Sequence, residues 1–123
     1  MMSAKGTVLV VYSQEMIASL VRMVLEKQGY QVISVQSGKE ANAKLDAFAI
    51  DVVLMDVARP DLAGVAAIQR VRRYSQAPII MLSSMSHQTG TRHAIQAGAA
   101  VYIVIPFSAE ALLKAIRKLV PDN

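Results

Sequence analysis

The chain has 123 residues, 54% of them apolar and 18% charged, which suits one domain with one sizeable core and is too apolar for disorder. It has no cysteine, which excludes disulfides and thiolate metal sites, and no apolar run long enough to span a bilayer. Thirteen basic residues against nine acidic ones give a net charge of +4. They cluster only at Arg70-Arg72-Arg73 and Lys114-Arg117-Lys118, late in predicted helices where cations complement the macrodipole, so nucleic-acid binding by this domain alone is not expected.

In chain order, residues 1–6 lack the apolar core and cleavage pattern of a secretory signal and lead straight into a strand, Thr7–Val11. The cytoplasm is therefore the expected compartment. A helix follows over Gln14–Gln28, with Ile17, Leu20, Val21, Val24 and Leu25 on one face and Gly29 as its stop. Gln31–Val35 reads as a second strand. Ser37 and Glu40 have capping-box spacing and open a helix to about Asp46. Ile50–Met55 is the third strand, Gly64–Tyr74 a helix, Pro78–Ser83 the fourth strand, Gln88–Ala97 a helix closed by Gly98, and Val101–Val104 the fifth strand. Ser108 can cap the last helix, Ala109–Val120, with Leu112, Leu113, Ile116 and Leu119 as its apolar positions. Pro121-Asp122-Asn123 reads as a stop. The seven methionines read mostly as core or interface filler.

Strand and helix thus alternate five times. That order, with near-continuous Val/Ile/Leu strands, implies an α/β fold whose parallel sheet is covered on both faces. Right-handed crossovers leave a single doubly wound, flavodoxin-like (βα)5 sheet of strand order 2-1-3-4-5 as the natural solution, one domain spanning residues 1–123.

In such a sheet, ligands gather at the carboxyl ends of the strands. Those ends carry Tyr12 and Ser13 after the first strand, Asp56 after the third, Ser83 and Ser84 after the fourth, and Tyr102 to Pro106 at the fifth. Asp56 is followed at fixed offsets by Pro60 and Gly64, a D-x-x-x-P-x-x-x-G pattern. A carboxylate at a strand end can serve as acceptor, metal ligand or base. Glu15 stands on the following helix, where solvent exposure is expected, and Arg59 stands in the loop after Asp56. His87 and His93 share no metal-ligand spacing with carboxylates.

Taken together, Asp56 with Pro60 and Gly64, Ser83, Gly98-Ala99, Tyr102 and Pro106-Phe107 make the chain resemble, over nearly its whole length, the receiver domains of two-component response regulators. The resemblance implies a signalling module rather than an enzyme. It implies that Asp56 matches the phosphoacceptor, Ser83 the hydroxyl that hydrogen-bonds the phosphoryl group, Tyr102 the switching aromatic, and Pro106 the family's proline, usually preceded by a cis peptide. It implies a histidine kinase or other signalling protein as partner. A homodimer is further implied, through the fourth helix, fifth strand and fifth helix, here Gln88–Ala97, Val101–Val104 and Ala109–Leu119.

The departures bear on the chemistry. The family's acidic pair, which helps hold Mg²⁺, is replaced by Tyr12 and Ser13, and its lysine before the strand-5 proline by Ile105. Mg²⁺ prefers carboxylate oxygens in near-ideal octahedral geometry, and phosphoryl transfer depends on positive charge at the equatorial oxygens. The expectation is an atypical receiver with a degenerate phosphorylation site, acting mainly through protein–protein contacts. Two alternatives stay open: a receiver in which Asp56 accepts phosphate slowly, and a flavodoxin-like ligand-binding domain. The latter lacks a Gly- or Ser/Thr-rich phosphate loop after the first strand, where Ser13-Gln14-Glu15-Met16 stands.

Overall fold

The computed structural model describes residues 6–12, 15–56, 69–84, 101–105 and 108–119; for Asp56, Ser83, Ser84 and residues 101–105 it describes the backbone. Five strands, β1 (Thr7–Val11), β2 (Gln31–Val35), β3 (Val52–Asp56), β4 (Ile79–Ser84) and β5 (Val101–Ile105), form one sheet of order β2-β1-β3-β4-β5. Every neighbouring pair is parallel. The doubly wound arrangement expected from the alternating elements is the one found. Strands three to five each run one residue further toward their carboxyl ends than the sequence pattern suggests, which draws Asp56, Ser84 and Ile105 into the ladder.

Burial on both faces explains why the inner strands β1, β3 and β4 are mostly apolar. Leu9 and Val11 of β1, with Val53 and Met55 of β3, pack into one cluster, alongside Ala41 and Leu45 of α2 (Gly38–Ala47). The alternate residues Val8, Val10, Val52 and Leu54 pack into the other. Ala18, Val21 and Leu25 of α1 (Glu15–Lys27) and Leu112, Leu113 and Ile116 of the last helix (Ala109–Leu119) join them there. Successive strand residues point to opposite faces, so β1, β3 and β4 each serve both cores at once.

Local chemistry sets the helix ends. Ser37 caps α2: its Oγ accepts from the Glu40 amide at 3.2 Å and donates to the Glu40 carboxylate at 3.3 Å. Ser108 caps the last helix by accepting from the Ala111 amide at 3.0 Å. α1 stops at a Schellman motif. Gly29, at φ 98°, occupies the left-handed region, its amide donates to Glu26 O, and the Tyr30 amide reaches back to Leu25 O. Tyr30 and Leu25 are then buried in the same cluster, completing the hydrophobic contact that accompanies the motif.

Two expectations are corrected. Leu20 does not belong to the buried face of α1: it is 55% exposed, because the helix rests on Ala18, Val21 and Leu25, with Ile17 and Val24 half-buried beside them. The methionines, read as core or interface filler, divide between the two sides of the structure. Met55 and Met81 are buried, whereas Met16 and Met23 lie on the outer side of α1, 78% and 64% exposed. The helix expected to reach Tyr74 is helical over 69–72 and closes in a turn at 73–74, where the Arg72 guanidinium donates to Ser75 O and Ala77 O and redirects the chain into β4. Residues 64–68, 88–97 and Val120 of the expected helices lie outside the described residues, as does Gln14.

Candidate functional site

The parallel register brings the carboxyl ends of β1, β3, β4 and β5 to one edge of the sheet. Val11 pairs with Met55, so Tyr12 follows β1 at the level where Asp56 ends β3. Asp56 pairs with Leu82, Ser83 with Val104, Ser84 with Ile105, and Tyr102 with Met81. Three of the sequence-predicted positions, Asp56, Ser83 and Ile105, therefore stand at the end of adjacent strands. Tyr102 sits deeper, on the second residue of β5. Ser13, Pro60, Gly64 and Pro106 lie outside the described residues, as do Arg59, His87 and His93.

Tyr12 is the position whose surroundings are most fully defined. Its amide donates to Val35 O at 3.1 Å, tying the end of β1 to the end of β2. Its side chain is only 4% exposed and belongs to the apolar cluster that α1 and the last helix build on the sheet. Strand alternation accounts for this: Val8, Val10 and Tyr12 share one face. The residue that follows β1 is at once a core residue and a residue of the strand-end edge.

Beside Tyr12 opens a groove of about 300 Å³ between α1, the end of β2 and the start of α2. Tyr12, Ala18 and Val35 form its buried apolar lining, and Glu15, Ser19, Arg22, Ser34, Gln36 and Glu40 its polar one. The Arg22 guanidinium is engaged there, donating to the Glu26 carboxylate at 3.2 Å and to Val32 O at 3.3 Å. Glu15 is exposed, as the sequence suggests, and it also lines this groove. Nothing in the sequence pointed to the groove, because it arises from how three consecutive elements pack against one another. Among the described residues, no group of three or more His, Cys, Asp or Glu side chains is placed to hold a metal ion, and no helix is long and apolar enough to cross a membrane.

Comparison with known proteins agrees with this architecture. Residues 8–117 match the family described as response regulator receiver domain. The chain is similar to the chemotaxis protein CheY of Bacillus subtilis, 34% identical over 113 residues covering 90% of this chain and 94% of that protein. It is also 32% identical to the transcriptional regulatory protein KdpE of Mycobacterium tuberculosis over 94% of this chain, and there it spans about half the relative's length, 51%. Among solved structures, a response regulator signal receiver domain from Bermanella marisrubri superposes with a TM-score of 0.86 at 29% identity, covering 96% of this chain and 99% of that one. The receiver domain of the sensor histidine kinase PA1611 from Pseudomonas aeruginosa, solved with a magnesium ion coordinated in its active site cleft, superposes with a TM-score of 0.82 at 25% identity, covering 94% of this chain and 97% of that one.

Proposed function

Since the chain belongs to the response regulator receiver domain family of two-component signalling, we propose that it is an atypical receiver, one that transmits its signal mainly through protein–protein contacts rather than through metal-dependent phosphorylation of Asp56. Receiver domains work with histidine kinases and other signalling proteins, and a partner of that kind, met in the cytoplasm, is the proposed input. For output, the proposed surface is the family's, here Gln88–Ala97, β5 and the last helix, with a second copy among the partners it can take. The chain carries no enzymatic role of its own in this reading.

The observation that carries the proposal is Tyr12. At the end of β1, where the family's metal-binding acid stands, this chain has a phenol that is 4% exposed and packed with apolar neighbours. A hard dication needs charged oxygens and room for several waters. Tyr12 offers a neutral oxygen on a ring committed to the core, and Ser13 replaces the second acid. The donor set left by the sequence, one carboxylate at Asp56, does not suit Mg²⁺. At the end of β5, Ile105 supplies no charge where the family has an ammonium to stabilise the equatorial oxygens. Ser83 and Tyr102 keep the family's hydroxyl and aromatic in this reading, and Pro60, Gly64 and Pro106 its loop geometry.

The test is to incubate the chain with Mg²⁺ and a small-molecule phosphodonor and measure its intact mass. The reading predicts an unmodified mass. A stable gain of one phosphoryl group that disappears in Asp56→Asn would overturn it in favour of a working phosphoacceptor.

A further inference from the structure

The groove beside Tyr12 runs along a free edge of the sheet. β2 is an edge strand, paired on one side with β1. Gln31 N donates to Gly6 O and Val35 O accepts from Tyr12 N, so Gln31, Ile33 and Val35 turn their backbone groups toward β1. Val32 and Ser34 therefore turn theirs outward. Val32 O is met there by the Arg22 guanidinium at 3.3 Å. The next outward pair, the Ser34 N–H and C=O, has no hydrogen-bond partner among the described residues and opens onto the groove that Ser34 lines.

The groove has a cationic end and an anionic end. α1 packs back along β2, which sets Arg22 level with Val32 and Glu15 level with the end of the strand. The two side chains belong to one stripe of α1, seven residues and about 10 Å apart along its axis. Arg22 is held by two bonds, Nε to Glu26 and Nη2 to Val32 O, and both hydrogens of its Nη1 remain to be given. At the other end Glu15 is joined by Glu40 from the start of α2. Glu40 spends one oxygen on Ser37 Oγ, and Glu15 has no partner among the described residues. Tyr12, Ala18 and Val35 supply the apolar floor between the ends.

We infer that this groove binds a small zwitterion, a carboxylate and a guanidinium or ammonium joined by a short aliphatic chain. The carboxylate sits on Arg22 Nη1 and the Ser34 N–H, the cation between Glu15 and Glu40, and the chain on the apolar floor. A simple anion would face two carboxylates, and a simple cation would face the guanidinium. The volume of about 300 Å³ limits the occupant to the size of an amino acid. An added peptide strand is disfavoured, since Arg22 already covers Val32 O on the free edge. The inference does not rest on the reading of Asp56, so the phosphodonor experiment and this one fail separately.

Titrating the wild-type chain with γ-guanidinobutyrate, followed by amide chemical shifts at constant pH and ionic strength, tests the inference. Saturable shifts confined to α1, the end of β2 and the start of α2 are expected. The groove is open to water, so the expected Kd is on the order of a millimolar. Propylguanidinium, which lacks the carboxylate, and butyrate, which lacks the cation, should each bind about tenfold more weakly. Arg22→Ala should cost the same factor, and so should Glu15→Gln, a change at an exposed side chain, with circular dichroism confirming that each variant is folded. Absence of saturation, or saturable shifts elsewhere in the chain, overturns the inference. So does propylguanidinium or butyrate binding as tightly as the zwitterion, or binding that is indifferent to Arg22→Ala or Glu15→Gln.

Discussion

The body of the sheet and its carboxyl edge obey different rules in this chain. In the body, Leu9, Val11, Val53, Leu54 and Ile80 need only be apolar and of the right volume, because they meet other apolar groups on both faces. At the edge, metal-dependent phosphoryl chemistry would need particular charges at particular strand ends. In sequence, the strand ends carry Tyr12, Ser13, Asp56 and Ile105. The fold survives because the two requirements are energetically separate. Hydrophobic burial in the body holds the strands in register whatever stands at their tips, so in the proposed reading the family scaffold is kept while the charges that serve its chemistry are exchanged. Tyr12 is where the two regions meet, a strand-end residue that has been drawn into the core.

The sharpest way to break this comparison is to damage the body. Leu54 is fully buried in the central strand β3, and Leu54→Ala should lower stability by about 2–5 kcal/mol, read as a shifted urea midpoint. A smaller value would mean that the core collapses around the gap. Next comes the meeting point. Tyr12→Asp restores an acid at the edge but removes a buried ring from the α1-side cluster, and it should cost about 2–4 kcal/mol by the same measurement. If the acid is tolerated without loss, Tyr12 is an edge residue after all and the comparison needs redrawing.

Much of this was legible in the sequence, and the limits have physical causes. Element order, parallel sheet, strand order and caps follow from local patterns: apolar strands of five or six residues, Ser37 with Glu40, Gly29 after α1. The side of α1 occupied by Leu20 was not legible, because helical periodicity fixes a stripe while the edge of that stripe depends on where the sheet lies beneath it. The exposure of Met16 and Met23 was hidden for the same reason. For the site, the identity of the strand-end residues could be read directly. The burial of Tyr12 could not, since a residue just past a strand can turn toward core or crevice. The groove at Glu15, Ser34 and Glu40 depends on how α1, β2 and α2 pack together, which local patterns do not fix.

Smaller effects sharpen the account of how the body is framed. Gly29→Ala places a Cβ in the left-handed region that ends α1 and should cost about 1–2 kcal/mol in thermal or urea unfolding. A neutral result would show that the helix can end without the Schellman turn. Ser37→Ala removes the α2 cap and should cost about 1 kcal/mol. Glu26→Gln, at a half-exposed pair with Arg22, should change stability by less than about 0.5 kcal/mol, and less again at high salt.

The proposed contrast between a preserved body and an exchanged edge rests on whether the edge can still gather a dication. Titrating the wild-type chain with Mg²⁺ in a calorimeter addresses that directly. The account predicts no saturable binding in the millimolar range, the same for the wild type and for Asp56→Asn. Saturable Mg²⁺ binding that is lost in Asp56→Asn would contradict it, and would mean that the edge still assembles a metal site despite Tyr12, Ser13 and Ile105.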